Sequence, residues 1–185
     1  RLFKAGGTEL AYNDDALGVL GDARLCHSFA EAGDYILEVR DIRFQGGGNH
    51  TYRLRVGEVP CINVPYPLGV QRGKPASLAF AGPDIEGVDP VALAVPEDPS
   101  VHWLSFGAKR GGQTASGFVT VSVADAEEIL ETEPNNKPDQ FNKVNFPANF
   151  NGRLQEPGDV DRFPFTAKNG SKFTFAAVTR SQGSP

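Results

Sequence analysis

The chain of 185 residues has no methionine, one tryptophan, two cysteines and three histidines. Each scarcity removes a class of function. His27, His50 and His102 lie far apart. No His-Glu-x-x-His, Gly-x-Ser-x-Gly or phosphate-cradling loop is present, so no catalytic residue is assigned and the chain is not expected to be an enzyme. A Cys26–His27 dyad is ruled out because neighbouring strand residues point to opposite faces. Cys26 and Cys61 show no metal-ligand spacing. One disulfide and two buried thiols both stay open, since a bridge depends on a Cα separation that sequence does not give. No three basic residues run together and the net charge is −5, which argues against a nucleic-acid groove. No stretch approaches the ~20 apolar residues of a membrane span. Position 1 is arginine, and Arg1-Leu2-Phe3 already reads as strand. The sequence is therefore expected to be a stretch of a longer polypeptide.

What is abundant is turn and strand chemistry. The 21 glycines and 14 prolines are spread along the chain, and the 13 phenylalanines sit among many Val and Thr. That mixture predicts short strands joined by tight turns, an all-β fold. Residues 1–14 read strand, Gly6-Gly7 hairpin, strand, closed by Asn13-Asp14-Asp15. Strands are predicted at 24–29, 35–40 and 52–56, the last with Tyr52, Leu54 and Val56 on one face. Tyr35 and Tyr52 are expected in the core. Pro60 and Val64-Pro65-Tyr66-Pro67 mark a boundary. Strands at 76–80, 91–95, 101–106 and 117–123 then suggest a small immunoglobulin-like sandwich over 61–130. The acidic run 125–133 reads as a helical turn or an extended linker. In 131–185, Phe163 and Phe165, then Phe173 and Phe175, fall at alternate positions around a Lys168-Asn169-Gly170 turn.

Two segments resemble the bacterial pre-peptidase C-terminal domain (PPC), a β-sandwich module. Its opening pattern is similar to Glu133-Pro134-Asn135-Asn136, Phe150-Asn151-Gly152 and Gly158-Asp159-Val160-Asp161-Arg162-Phe163. Its closing pattern is similar to Leu2-Phe3, Asn13-Asp14-Asp15 and Ala32-Gly33-Asp34-Tyr35. The order is reversed, with the closing half at 1–60 and the opening half at 131–185. The resemblance implies jelly-roll-like halves that complete each other. They would do so within one chain, as a circular permutant, or between neighbouring chains.

The resemblance extends to the collagen-binding domains of clostridial collagenases and implies a calcium site. The matching positions are Glu131, Glu133, Asn135, Asp159 and Asp161, oxygen donors of the kind calcium takes. Gly158 stands where the related pattern carries an acid. A plain turn is the competing reading: Asp159 as its cap, and Asp161 paired with Arg162 or Arg153. Asn13, Asp14 and Asp15 form a second acidic cluster that fits an Asx-turn better than a metal. Tyr66 and Trp103 are candidates for a ligand surface.

The expected function is a non-catalytic structural or adhesive module of a large secreted or cell-surface bacterial protein, stabilised by calcium. Its expected partners are further copies of itself, neighbouring repeats, or a protein or polysaccharide ligand. The alternative is an accessory domain of a secreted peptidase that binds substrate or assists secretion.

Overall fold

The computed structural model describes all residues except 17, 18, 20, 138, 141–144 and 185. The fold is all-β. Among the described residues the one helical element is a 3-10 turn at Arg180–Gln182, and no helix is long and apolar enough to cross a membrane.

Near the N-terminus, β1 (Leu2–Lys4), β2 (Glu9–Ala11) and β3 (Tyr35–Leu37) form a small antiparallel sheet with β1 central. Its hairpin closes as expected, with Gly7 at φ 89° and its N–H donating to the Lys4 carbonyl.

The middle of the chain is a finished two-layer unit. One antiparallel sheet holds β4 (Val64–Tyr66), β6 (Pro75–Ala81) and β7 (Val91–Ala94), ordered β4-β6-β7. The other holds β5 (Gly69–Gln71), β8 (Trp103–Phe106) and β11 (Val119–Ala124), ordered β5-β11-β8, with β5 parallel to β11. Strand β11 alternates strictly: Val119, Val121 and Val123 are buried between less buried neighbours. Those valines meet Leu78 and Phe80 of β6, and this contact is the core. A side hairpin joins β9 (Lys109–Arg110) to β10 (Gln113–Thr114). Its turn is Gly111-Gly112 with φ 53° and 87°, the doubly left-handed geometry that glycine adopts without a Cβ clash.

After this unit, β12 (Glu127–Leu130) pairs in parallel with β13 (Ala148–Asn151). The acidic run is thus part strand, neither helical turn nor simple linker.

Other expectations need correction. Residues 24–29, 52–56, 163–165 and 173–175 carry no assigned strand, and Tyr52 is 73% exposed. Alternation makes a strand competent, but a ladder needs a second edge. Among the described residues no strand of 1–60 pairs with one of 131–185. The Lys168–Gly170 turn does form, with the Ser171 N–H on the Lys168 carbonyl. The Phe165 and Phe173 rings face each other across it at 5.4 Å.

Leu78 is fully buried, so Leu78→Ala should cost about 2–5 kcal/mol. Urea unfolding followed by Trp103 fluorescence checks this; the midpoint should fall with the slope unchanged.

Candidate metal centre

Strand β12 delivers its chain into an acidic corner. The Glu131 N–H donates to the Asn151 carbonyl at 3.0 Å, continuing the β12–β13 ladder by one residue. The Arg153 N–H then donates to Glu131 Oε1 at 2.6 Å. Two residues on, Glu133 Oε2 accepts the Asn135 N–H at 2.8 Å. Asp161 arrives from the turn after β13. Glu131, Glu133 and Asp161 each bring one carboxylate oxygen to within 4.8 Å of the others. Among the described residues no lysine or arginine forms an ion pair with any of the three.

Several buried oxygens here lack a partner. Glu131 Oε2, Glu133 Oε1 and Asp161 Oδ1 make no hydrogen bond, nor does either side-chain atom of Asn135. Asn135 is fully buried. A buried polar atom left unpaired costs about 1–3 kcal/mol, a cost that a bound cation would remove. Gly152 keeps it open: a Cβ there would lie 2.7 Å from Glu131 Oε2 and 3.1 Å from Asp161 Oδ2. Burial pushes the Glu131 carboxyl up, against the Arg153 N–H that lowers it; Asp161, Glu133 and Asp159 raise it further. The carboxylates crowd one another, and among the described residues no lysine or arginine pairs with them.

Asp159 stands outside the triad. Its two oxygens accept the N–H groups of Gln155, at 2.7 Å, and Val160, at 2.9 Å. It is a turn cap. Asn136 serves the same turn, accepting the Val160 N–H at 2.7 Å. The Arg153 guanidinium lies 3.7 Å over the Tyr66 ring, occupying one face of a candidate ligand aromatic. Trp103 is 54% exposed on β8.

The second cluster is a turn. Asp14 accepts the Tyr12 hydroxyl at 2.8 Å and the Asp15 N–H at 3.1 Å. Asn13 Oδ1 accepts the Arg24 N–H at 3.0 Å. Asn13, Asp14 and Asp15 join no acidic triad among the described residues. His27 packs edge-on against Phe29, while Cys26 turns to Cys61.

Sequence reasoning missed Gly152, which matters only because two distant carboxylates converge beside it. It also missed the buried amide of Asn151, which positions the corner. That side chain accepts the N–H groups of Leu68 at 2.9 Å and Gly69 at 3.0 Å, and donates to Glu128 at 2.7 Å. The Phe150-Asn151-Gly152 stretch of the resemblance was the available signal, and it names both residues without giving either a role.

The residues fit a hard divalent cation. Three carboxylates, each able to bind through one or both oxygens, and an amide carbonyl approach the six to eight oxygens calcium takes. When bound, such an ion would tie the 131–135 segment to the turn carrying Asp161. No family model matches the chain, and no curated protein or solved structure is significantly similar to it.

Because the fold raises the Glu131 carboxyl, its stabilising contribution is present at low pH and lost as pH rises through the raised value. In chelator, Glu131→Gln should therefore melt above the wild type at about pH 7, with the gap closing toward about pH 4 as Glu131 protonates. Paired melting curves across that range check it.

Proposed function

We propose that the chain is a non-catalytic structural or adhesive module of a large secreted or cell-surface bacterial protein, which assembles through its outer β segments and is stiffened by calcium. The observation that carries this reading is the contrast between a finished middle unit and unfinished flanks. In 1–60, Ile36, Val39, Phe44, Tyr52, Leu54 and Val56 are exposed. In 131–185, Phe146, Phe165, Phe173 and Phe175 touch ring to ring, yet are 39–69% exposed. Burying each such side chain is worth about 1.5–3 kcal/mol, and exposed apolar surface of this extent marks an interaction face.

The likeness of the two flanks to the closing and opening patterns of one PPC sandwich supports the same reading. Each flank is the natural cover for the other. Among the described residues the two flanks do not pair as strands within one chain, so pairing between chains is the favoured form. Calcium at Glu131, Glu133, Asn135 and Asp161 would hold the base of the aromatic flank in one geometry. That makes the face a better template for a partner.

Light scattering over a concentration series checks assembly. Dimers or longer species are expected, and Phe175→Glu, at a site 69% exposed, should weaken association by about tenfold or more. A monomer at all concentrations would remove assembly as the function. For calcium, a free concentration about a hundredfold above the dissociation constant should add about 2.7 kcal/mol of stability. Chelator should reverse the gain, and Asp161→Asn should abolish it. A melting temperature indifferent to both would withdraw the ion.

A further inference from the structure

Cys26 and Cys61 lie 35 positions apart in sequence, and the fold brings them together. Arg24 Nη2 donates to Asn63 Oδ1. Two residues further along one segment, and two residues back along the other, the Cys26 and Cys61 thiols lie within interaction range of each other. Side chains 24 and 63, then 26 and 61, thus meet in pairs. Thiols that meet in this way are joined once their Cα atoms come within the roughly 4.4–6.8 Å that a disulfide spans. Cys61 is also pinned from its other side. Its N–H donates to the Asp84 carbonyl at 2.9 Å, and its carbonyl accepts the Asp84 N–H at 3.4 Å.

Both residues are free thiols here, Cys61 buried and Cys26 exposed. We infer that Cys26 and Cys61 are a disulfide-forming pair that staples the N-terminal segment to the lip of the middle sandwich when the protein meets a small-molecule disulfide. The accessible Cys26 reacts first. Its thiolate attacks one sulfur of the oxidant, for which oxidised glutathione serves, and releases one glutathione thiolate. The Cys61 thiolate then attacks Cys26 Sγ, forming the internal bond and releasing the second glutathione. Two cysteines are oxidised, one glutathione disulfide is reduced to two thiols, and the cysteine protons end on the released thiolates.

Burial, the Cys61 thiol and the Asp84 carboxylate hold the Cys26 thiol above its ordinary range, against the lowering influence of Arg24. Exchange is therefore slow at neutral pH and is best run at mildly alkaline pH. Among the described residues, Arg55 also ties this flank to the sandwich, donating to the Thr114 and Ala115 carbonyls at 2.8 and 3.1 Å, and Arg24 bonds Asn63 two residues from the thiols. A covalent link there would add a bond where side-chain hydrogen bonds now hold the two parts together.

The test treats the native full chain with oxidised glutathione and maps peptides without reduction. The expected result is a Cys26–Cys61 linked peptide, loss of both titratable thiols, and a melting temperature higher by roughly 10 °C, reversed by reductant. Cys61→Ser should stall as a glutathione adduct on Cys26, and Cys26→Ser should stay unmodified. The inference is overturned if the wild type retains glutathione on Cys26, links two chains through Cys26, or keeps both thiols free. Because the linkage is read by peptide mass, it stands or falls apart from calcium binding or assembly.

Discussion

Asn151 is buried where β13 meets β5, and its amide has no polar atom to spare. The carbonyl oxygen accepts two adjacent backbone N–H groups at the start of β5, and the amide nitrogen donates to Glu128. The main-chain carbonyl of the same residue accepts the Tyr66 hydroxyl at 3.1 Å and the Glu131 N–H. One residue thus joins the finished sandwich to the next strand pair and sets the position of the first acidic ligand. Glu128, itself pushed up by burial against the opposing amides of Asn151 and Asn149, completes the arrangement. A wrong side chain at 151 would leave two backbone donors without partners, each a cost of about 1–3 kcal/mol, and would strip the half-buried Glu128 carboxylate of one of its two amide donors. The acidic corner inherits its geometry from this junction, since the Glu131 N–H is held on the Asn151 carbonyl.

The rest of the molecule divides by whether an apolar face has found its complement. Leu78 and Phe80 of β6 lie against the valines of β11, and that region closes its own core. The flanks have the same alternation and equally large side chains. Val56 is nonetheless 75% exposed and Phe175 69%. The difference is not in propensity. A β-strand is a half-satisfied object: its backbone needs an edge and its apolar face needs a layer. Where the chain supplies both, a strand forms; where it supplies neither, the same pattern remains extended and open.

This explains what was legible in the sequence. The middle strands were readable to within a few residues, because alternation in β6 and β11 coincides with a partner in the same chain. The alternation of Tyr52, Leu54 and Val56 was read equally clearly and predicted a strand that is not there, since local pattern carries no information about the partner. The acidic corner was half legible. Glu131, Glu133 and Asp161 converge, while Asp159 caps its own turn. An Asp beside a glycine of positive φ has backbone donors within reach, and those compete with a metal. Asn151 and Gly152 were invisible as site residues because their importance comes from tertiary contacts made across more than eighty and about twenty positions.

The polar chemistry of the molecule gathers at its seams. Asn151 and Glu128 sit between the sandwich and β13. The unpaired carboxylates sit between the linker and the turn beyond it. Cys26 and Cys61, with Arg24 and Asn63 beside them, sit between the N-terminal segment and the sandwich. A purely apolar seam would hold by burial but could slip, because hydrophobic contact is not directional. Hydrogen-bonded amides, an ion with fixed ligands or a covalent bond each fix an orientation. A chain whose outer faces remain open to partners needs that fixity more than a closed domain does. Two apolar surfaces dock reproducibly only if each is presented at a constant angle to the unit that carries it. With an ion in the acidic corner and the two thiols joined, the seams would supply what the core does not: a fixed geometry between the sandwich and each of its flanks.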